Sequence, residues 1–280
     1  MSESNSLNSD IKSMKLYRHV DRVLTELQCL GKGEQEALSA SELTPFDQLH
    51  YHGTESVDEA VRATGIVASS SVLEIGSGLG GPARHIAATA GAKVTALELQ
   101  VDQNELASHL SARCGLAEKV AHVCGDFLTH EWSTLYFDVI ASWFALYHIP
   151  ERSVLLERCY GLLHKGGYFF TEDLYARKEF TDSEKSELAT EQFANCLPDY
   201  ETYLRDLKAA GFELVSCEEM SDDWAAFTRE RLAAYRVQKA RHIDVHGDAV
   251  FTAMEHFYDV MVRHFAGGKL GGIRIVARKV

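Results

Sequence analysis

Basic residues are scarce in this chain of 280 residues: 28 Lys and Arg stand against 41 Asp and Glu, a formal net charge of −13. Nucleic acid and anionic membrane surfaces both demand a Lys/Arg face, so the balance argues against either partner, though it leaves room for a local basic pocket. No stretch approaches the ~18 apolar residues of a membrane span. The polar opening MSESNSLNSD has no apolar run of the kind a secretory leader carries, so a cytoplasmic protein is expected. Paired cysteines are also lacking. Cys29, Cys114, Cys124, Cys159, Cys196 and Cys217 form no C-x-x-C, which removes the usual zinc and dithiol patterns and leaves small hydrophobes in a reducing compartment. Repeats and low-complexity tracts are absent. The remainder is an ordinary globular balance, 46% hydrophobic and 25% charged, enough for one large domain or a core with a substantial cap.

Periodicity divides the chain. Leu16, Val20, Val23, Leu24 and Leu27 recur at helical spacing within Ile11–Leu30, and a second helix is expected over Glu55–Thr64, stopped by Gly65. Short apolar runs then alternate with helical segments. Strands are expected at Ser71–Ile75, Lys93–Leu99, Val120–Cys124, Phe137–Trp143 and Tyr168–Asp173, with helices at Pro82–Ala90, Val101–Cys114 and Arg152–Leu163. Such alternation predicts a parallel sheet covered on both faces. Helices follow at Thr181–Asn195 and Asp199–Ala210, a strand at Phe212–Met220, helices at Asp223–Ala240 and Asp248–Phe265, and a last strand at Gly272–Lys279. The expected organisation is a helical lid segment over 1–60, a ligand-binding core over 61–178, and the remaining strands with an inserted helical cap over 179–280.

The stretch LEIGSGLGGPARHIA places Gly76, Gly78, Gly80 and Gly81 between the first strand and its helix. A glycine turn there lets backbone amides approach a ligand beyond the strand ends. No G-K-[ST] follows, which removes a P-loop phosphate site, while the spacing satisfies G-x-G-x-x-G. Glu74, two residues ahead of the first glycine, discriminates. A carboxylate repels a pyrophosphate and attracts the ammonium of a cationic amino-acid ligand such as S-adenosylmethionine. Glu98, ending the second strand, suits two ribose hydroxyls. Asp126, after the third, suits an adenine amino group, with Phe127 against the ring.

With these motifs in place the chain resembles the class I S-adenosylmethionine-dependent methyltransferases. The resemblance is carried by VLEIGSGLGGPARHIA, VTALELQ, CGDF and FDVIASWFALYHIPERSVLLERCYGLLHKGGYFFTEDL. With TPFDQLHYHG ahead of the sheet, the chain is similar to the glycine/sarcosine/dimethylglycine N-methyltransferase branch and to the phosphoethanolamine methyltransferases. The resemblance implies an α/β, Rossmann-like seven-stranded methyltransferase sheet with helices on both faces and a helical lid. It also implies S-adenosylmethionine as cofactor, bound through Glu74, Gly76, Gly78, Glu98, Leu99, Gln103, Asp126 and Phe127. His50 and Tyr51 fall in the segment that closes over the cofactor, and Trp143 follows the fourth strand beside its methionyl part. His148, in ALYHIP, matches a catalytic histidine that relatives pair with an upstream tyrosine, for which Tyr17 and Tyr51 are the nearest candidates.

The implied reaction is methyl transfer to a small amine, with a phosphobase or a larger apolar carbon or oxygen acceptor as alternatives. An amine attacks only with a free lone pair, and histidine titrates in the range needed to accept its proton. His148 is thus a candidate base or a residue that shapes the cleft, and Tyr51 a candidate partner. Aromatic faces hold methylated cations by ~0.5–2 kcal/mol per contact. Tyr147 and Trp224 are candidates for that wall or for core packing. Asp173 is a candidate to face the amine or to cap a turn, and Arg177 a candidate for a substrate carboxylate. Arg229, Arg231 and Arg236 read as solvated pairs on a helix with Glu230. His50 and His52 form H-x-H with no further ligands in register, so no metal is expected.

Overall fold

The computed structural model describes residues 19–132 and 136–280. The expected helix over Ile11–Leu30 survives there as α1 (Arg22–Cys29), and its earlier part, with Tyr17, lies outside the described residues. Next come α2 (Ala40–Asp47) and α3 (Thr54–Thr64), then β1 (Ser71–Ile75), α4 (Gly81–Thr89), β2 (Lys93–Glu98), α5 (Val101–Arg113), β3 (Val120–Cys124), β4 (Phe137–Trp143), α6 (Arg152–Leu162) and β5 (Leu163–Ala176). The chain continues through α7 (Asp182–Glu191), α8 (Tyr200–Ala209), β6 (Phe212–Glu219), α9 (Ser221–Val237), α10 (Lys239–His246), α11 (Asp248–Ala266) and β7 (Leu270–Lys279).

Seven strands form one sheet in the order β3-β2-β1-β4-β5-β7-β6. Successive residues point to opposite faces, and both faces are buried. Val72, Val94, Val139 and Phe170 pack on one side, and Leu73, Leu97, Ile140 and Phe169 on the other. The strands are parallel except β7, which runs antiparallel to both β5 and β6. That reversal departs from an all-parallel sheet and has a geometric result. The chain leaves β6 and enters β7 at the same edge, so α9–α11 stand over the carboxyl ends of the parallel strands. The strand order changes direction between β1 and β4, and a crevice opens at such a point.

Three elements differ from the pattern expected of the sequence. Strand β5 runs on to Ala176 because β7 pairs with it through Ala176↔Leu270. The expected helix Asp223–Ala240 ends at Val237, and α10 follows as a separate turn of chain. Helix α2 was not expected, since Pro45 lies inside it, but Ser39 and Glu42 make a reciprocal capping box that starts it.

Helix α2 is tied to the glycine turn by a buried guanidinium. Arg84 on α4 is fully buried, and its Nη2 donates to Asp47 Oδ2 at 2.8 Å and to the Leu79 carbonyl. Its Nη1 donates to the Ala107 carbonyl and to Ser111 Oγ on α5, each at 3.2 Å. One side chain therefore fixes the segment before the sheet, the turn after β1 and the helix after β2. Removing one partner of such a pair strands a charge in low dielectric. Arg84→Met is expected to lower the unfolding free energy by about 3–5 kcal/mol, and adding Asp47→Asn should cost much less than Asp47→Asn alone. Denaturant unfolding of the two single variants and the double variant measures this, and additive losses would contradict it.

Candidate functional site

A cavity of about 640 Å³ opens where β1 and β4 end, floored by the glycine turn and roofed by α1, α9 and α11. The turn is shaped by contacts that exclude side chains. Gly76 has φ +71°, and a Cβ there would lie 2.3 Å from Ala145 Cβ. The amides of Gly76 and Ser77 both donate to the Leu97 carbonyl at 2.9 Å. Glu98 closes the turn from beneath: Oε2 accepts from the Gly78 amide at 2.8 Å and Oε1 from the Gln100 amide at 2.9 Å.

Glu74 is buried in the cavity wall with Oε2 lacking a hydrogen-bond partner. Burial pushes its carboxyl up to about 8, outweighing Arg84 and the Ala83 amide, which favour the anion. A neutral acid at pH 7 beside a glycine cradle is poised for a cationic group. The residues therefore fit S-adenosylmethionine, whose ammonium supplies the missing charge.

The structure gathers Glu74, Gly76, Gly78, Gln103, His50, Tyr51, Trp143 and Tyr147 around this one cavity. His50 Nε2 donates to the Gly53 carbonyl at 2.9 Å, and burial lowers its pKa to about 4, so the ring is neutral. Tyr51 is pushed up to about 12 by burial, against the pull of Arg231, and stays a phenol. Its ring lies 4.2 Å from that of Phe144 and 5.1 Å from that of Phe227. Trp143 donates through Nε1 to Ser56 Oγ at 2.8 Å, which fixes its face towards the cavity beside His50. Three non-glycine residues at this end have positive φ, namely His52, Phe144 and Phe193. Such strain is held only where surrounding contacts enforce it.

Other sequence candidates lie elsewhere. Leu99 and Asp126 sit just past the ends of the adjacent strands β2 and β3, with Asp126 exposed and its Oδ1 capping the Leu128 amide. Phe127 is not an open ring face; it is buried in the core with the Arg158 guanidinium 5.7 Å from its centre. Asp173 neither faces the cavity nor caps an exposed turn. It accepts from the Tyr203 hydroxyl at 2.9 Å and from the Tyr147 amide at 3.2 Å, with Arg152 at 3.8 Å. Burial raises its pKa to about 6 despite Arg152. Arg177 is on the surface against Glu219 and Asp222. Trp224 is fully buried behind Tyr51 and Phe144, and a Cβ on Gly272 would strike its ring. It backs the wall without lining it.

His148 also lies behind the wall, its ring 4.0 Å from that of Tyr147. Its Nδ1 donates to the Phe193 carbonyl at 2.8 Å, and burial lowers its pKa to about 4. The surrounding segment is clasped twice more, by Asn195 Nδ2 to the His148 carbonyl and by the Cys196 amide to the Tyr147 carbonyl, each at 2.9 Å. Among the described residues no cluster of three or more metal-ligating side chains occurs, and no helix is long and apolar enough to cross a membrane.

Sequence reasoning missed the roof. Phe227, Arg231 and Tyr235 on α9, with Phe257, Tyr258 and Met261 on α11, complete the cavity. The spacing of Trp224, Phe227, Arg231 and Tyr235 marks one helical face and was the available signal. Arg231, expected as a solvated pair, belongs to that inward face because the rings of Tyr51 and Tyr258 take up its guanidinium, at 4.8 and 4.5 Å.

Comparison with known proteins fits this geometry. Residues 73–171 match the family model described as a methyltransferase domain. A sterol 24-C-methyltransferase of Eremothecium gossypii is 29% identical over 165 residues, covering 57% of this chain and 44% of that protein. Phosphoethanolamine N-methyltransferase 3 of Arabidopsis thaliana is 28% identical over 191 residues, covering 68% and 38%. The match thus spans less than half the length of these relatives. Among solved structures, a putative sarcosine dimethylglycine methyltransferase from Galdieria sulphuraria superposes with a TM-score of 0.70 at 19% identity, over 80% of this chain and 83% of that one. The phosphoethanolamine N-methyltransferase 2 of Haemonchus contortus does so with a TM-score of 0.80 at 17% identity, over 100% and 61%. Residues 73–171 are a methyltransferase domain, and the chain has the fold of the S-adenosylmethionine-dependent methyltransferases.

Proposed function

We propose that this chain transfers a methyl group from S-adenosylmethionine to a small amine. The observation that carries the reading is the make-up of the cavity: aromatic rings interleaved with Gln192, Gln238, His242 and three arginines, directly above the glycine turn and Glu74. A sterol-like acceptor would press apolar surface against those polar groups and strip their water without offering new partners, which is costly in a desolvated site. A methylated amine is a soft cation that ring faces hold, and its polar end satisfies the rest.

The cofactor supplies an activated methyl on a sulfonium, so the protein's share is binding, alignment and exclusion of water. We assign Glu74 to the ammonium, Gly76 and Gly78 to a close backbone approach, and Gln103, His50 and Trp143 to the adjoining wall. Glu98 keeps lone pairs beyond its two amide bonds for ribose hydroxyls, and Leu99 and Asp126 flank the adenine end. Tyr51 retains its proton near neutrality and so positions the acceptor. His148, held behind Tyr147 with its pKa lowered to about 4 by burial, shapes the acceptor end of the cleft, and the acceptor's proton leaves through water.

Two outcomes are expected. With labelled methyl donor and a panel of amines, including sarcosine and phosphoethanolamine, alongside apolar alcohols, label should enter an amine. His148→Ala should then lower kcat by about tenfold by loosening Tyr147, with the pH–rate profile unchanged and S-adenosylhomocysteine still bound. Label entering only the alcohols contradicts the amine reading, and a pH–rate profile altered in the variant contradicts the positioning role of His148. The second outcome concerns Glu74. Its folded pKa, about 8, is raised above the ordinary 4.5. Folding therefore favours its protonated form, stability falls as pH climbs from about 4.5 to about 8, and an ammonium beside it favours loss of the proton. Binding of S-adenosylhomocysteine at pH 7 should release a proton, seen as a calorimetric enthalpy that varies with the buffer, and tighten as pH rises from about 6 to 8. Glu74→Gln should abolish the buffer dependence.

A further inference from the structure

One buried acid has no part in the reaction outlined above. Glu172 on β5 is fully buried. It stands in a row that crosses the sheet level with the carboxyl ends of the parallel strands. Trp143 on β4 is its partner on one side and Arg274 on β7 on the other, with Glu218 on β6 beyond. Register partners share a face. The row behind it on that face, Ala141, Phe170 and Val276, is apolar and packs with Val57 and Ala60 of α3. Arg274 accounts for one oxygen of Glu172: its Nε and Nη2 donate to Oε1 at 2.8 and 2.7 Å, while its Nη1 reaches Glu218 at 2.9 Å. The other oxygen, Oε2, is buried with no hydrogen-bond partner among the described residues. An apolar residue would serve the sheet at least as well as a buried ion pair, so sheet stability does not account for the acid.

Ser56 of α3 supplies the link to the cavity. It is buried, and its Oγ accepts from the Trp143 indole Nε1 at 2.8 Å. That leaves the serine's own proton to be placed. Burial raises the pKa of Glu172, and Arg274 and the Ser56 hydroxyl favour its anion. A hydroxyl that donates to a carboxylate is itself a stronger acceptor, because bonds in a chain polarise one another. Its rotor is also fixed, with a lone pair towards the indole. Phe144, next in the chain, gives its amide to the Glu172 carbonyl at 2.9 Å and turns away from the strand at φ +55°. Trp143 is thus gripped at its backbone and at its indole, and its ring lines the cavity 5.8 Å from that of His50.

We infer that Glu172 is a positioning residue for the donor wall: its second oxygen takes the Ser56 proton, and Ser56 in turn holds the Trp143 ring at the angle that beds the methyl donor. The inference rests on the methyl-transfer reading, in which Trp143 belongs to that wall, and adds two side chains that do not themselves line the cavity. Glu172 and Ser56 act on the rate through alignment. Glu74 and the glycine turn carry the affinity.

The test uses the full chain with nitrogen-15 in its three tryptophans, loaded with S-adenosylhomocysteine. Trp143→Phe identifies the indole N–H signal of Trp143. In Glu172→Gln and in Ser56→Ala that signal should move upfield as the indole bond weakens. With the amine that takes label in the panel above, kcat should fall about tenfold in both variants, while the Kd of S-adenosylhomocysteine stays within about threefold of the parent's. Ser56→Thr keeps the hydroxyl and should restore both the signal and the rate. Retained S-adenosylhomocysteine binding shows that a variant folds, and Ser56→Ala decides the matter should Glu172→Gln fail to fold. An indole signal unmoved in the variants overturns the inference, as does a moved signal with kcat unchanged. A loss in Ser56→Thr equal to that in Ser56→Ala also overturns it, because packing and not the hydroxyl then matters. A parent chain that binds no S-adenosylhomocysteine, or labels no acceptor, defeats the methyl-transfer reading instead. The indole comparison needs no turnover and reports separately.

Discussion

The buried Asp47–Arg84 pair is the constraint on which the site depends. A glycine turn alone is a floppy loop, because four residues without side chains lose much backbone freedom on ordering. Arg84 removes that freedom by holding the Leu79 carbonyl from inside while its other donors reach α2 and α5. The neighbouring chemistry is consistent with a permanent cation there. His122, bonded to Ser111 at 2.8 Å, has its pKa lowered to about 4 by burial and by Arg84. The approach is so close that a Cβ on Gly81 would lie 2.5 Å from the Asp47 carbonyl oxygen. The glycines thus serve two masters: they open the turn towards the cavity and let α2 lie against its back.

A second buried network does for the far wall what Arg84 does for the floor. Asp173, Arg152 and Tyr203 sit beneath the loop after β4, with the Arg152 guanidinium 3.7 Å from the centre of the Tyr203 ring. The Tyr147 amide hangs from Asp173, and residues 193–196 clasp the same loop from above. Tyr147 and His148 are therefore held by long-range contacts and not by the short helical turn they occupy.

Much of the fold was legible in the sequence, because hydrophobic period and glycine stops are local signals. Strands β1, β3 and β4 fall where the apolar runs end, and Gly65, with φ +67°, closes α3 as a stop should. The glycine turn after β1 was legible too, and with it the placing of Glu74 in the cavity wall. Orientation across the fold was not. Asp173 was expected to end its strand, but β5 runs on past it to Ala176, and it meets Tyr203, a residue 30 positions away that no local pattern connects to it. Arg231 sits among Arg229, Glu230 and Arg236, so composition reads it as surface, and only the rings of Tyr51 and Tyr258 turn it inwards. The direction of β7 is a third case: periodicity marks a strand without saying which way it runs.

That reversed strand has a consequence for how such a molecule changes. The Met220 amide donates to the Gly272 carbonyl at 2.8 Å, so the chain departs from the sheet and rejoins it at almost the same point. The stretch between is an insertion joining two neighbouring strands at one end of the sheet. It can lengthen, shorten or be exchanged for another while the strands that grip the methyl donor stay in register. A lineage of such enzymes can therefore explore new acceptors by grafting roofs onto an unaltered foundation.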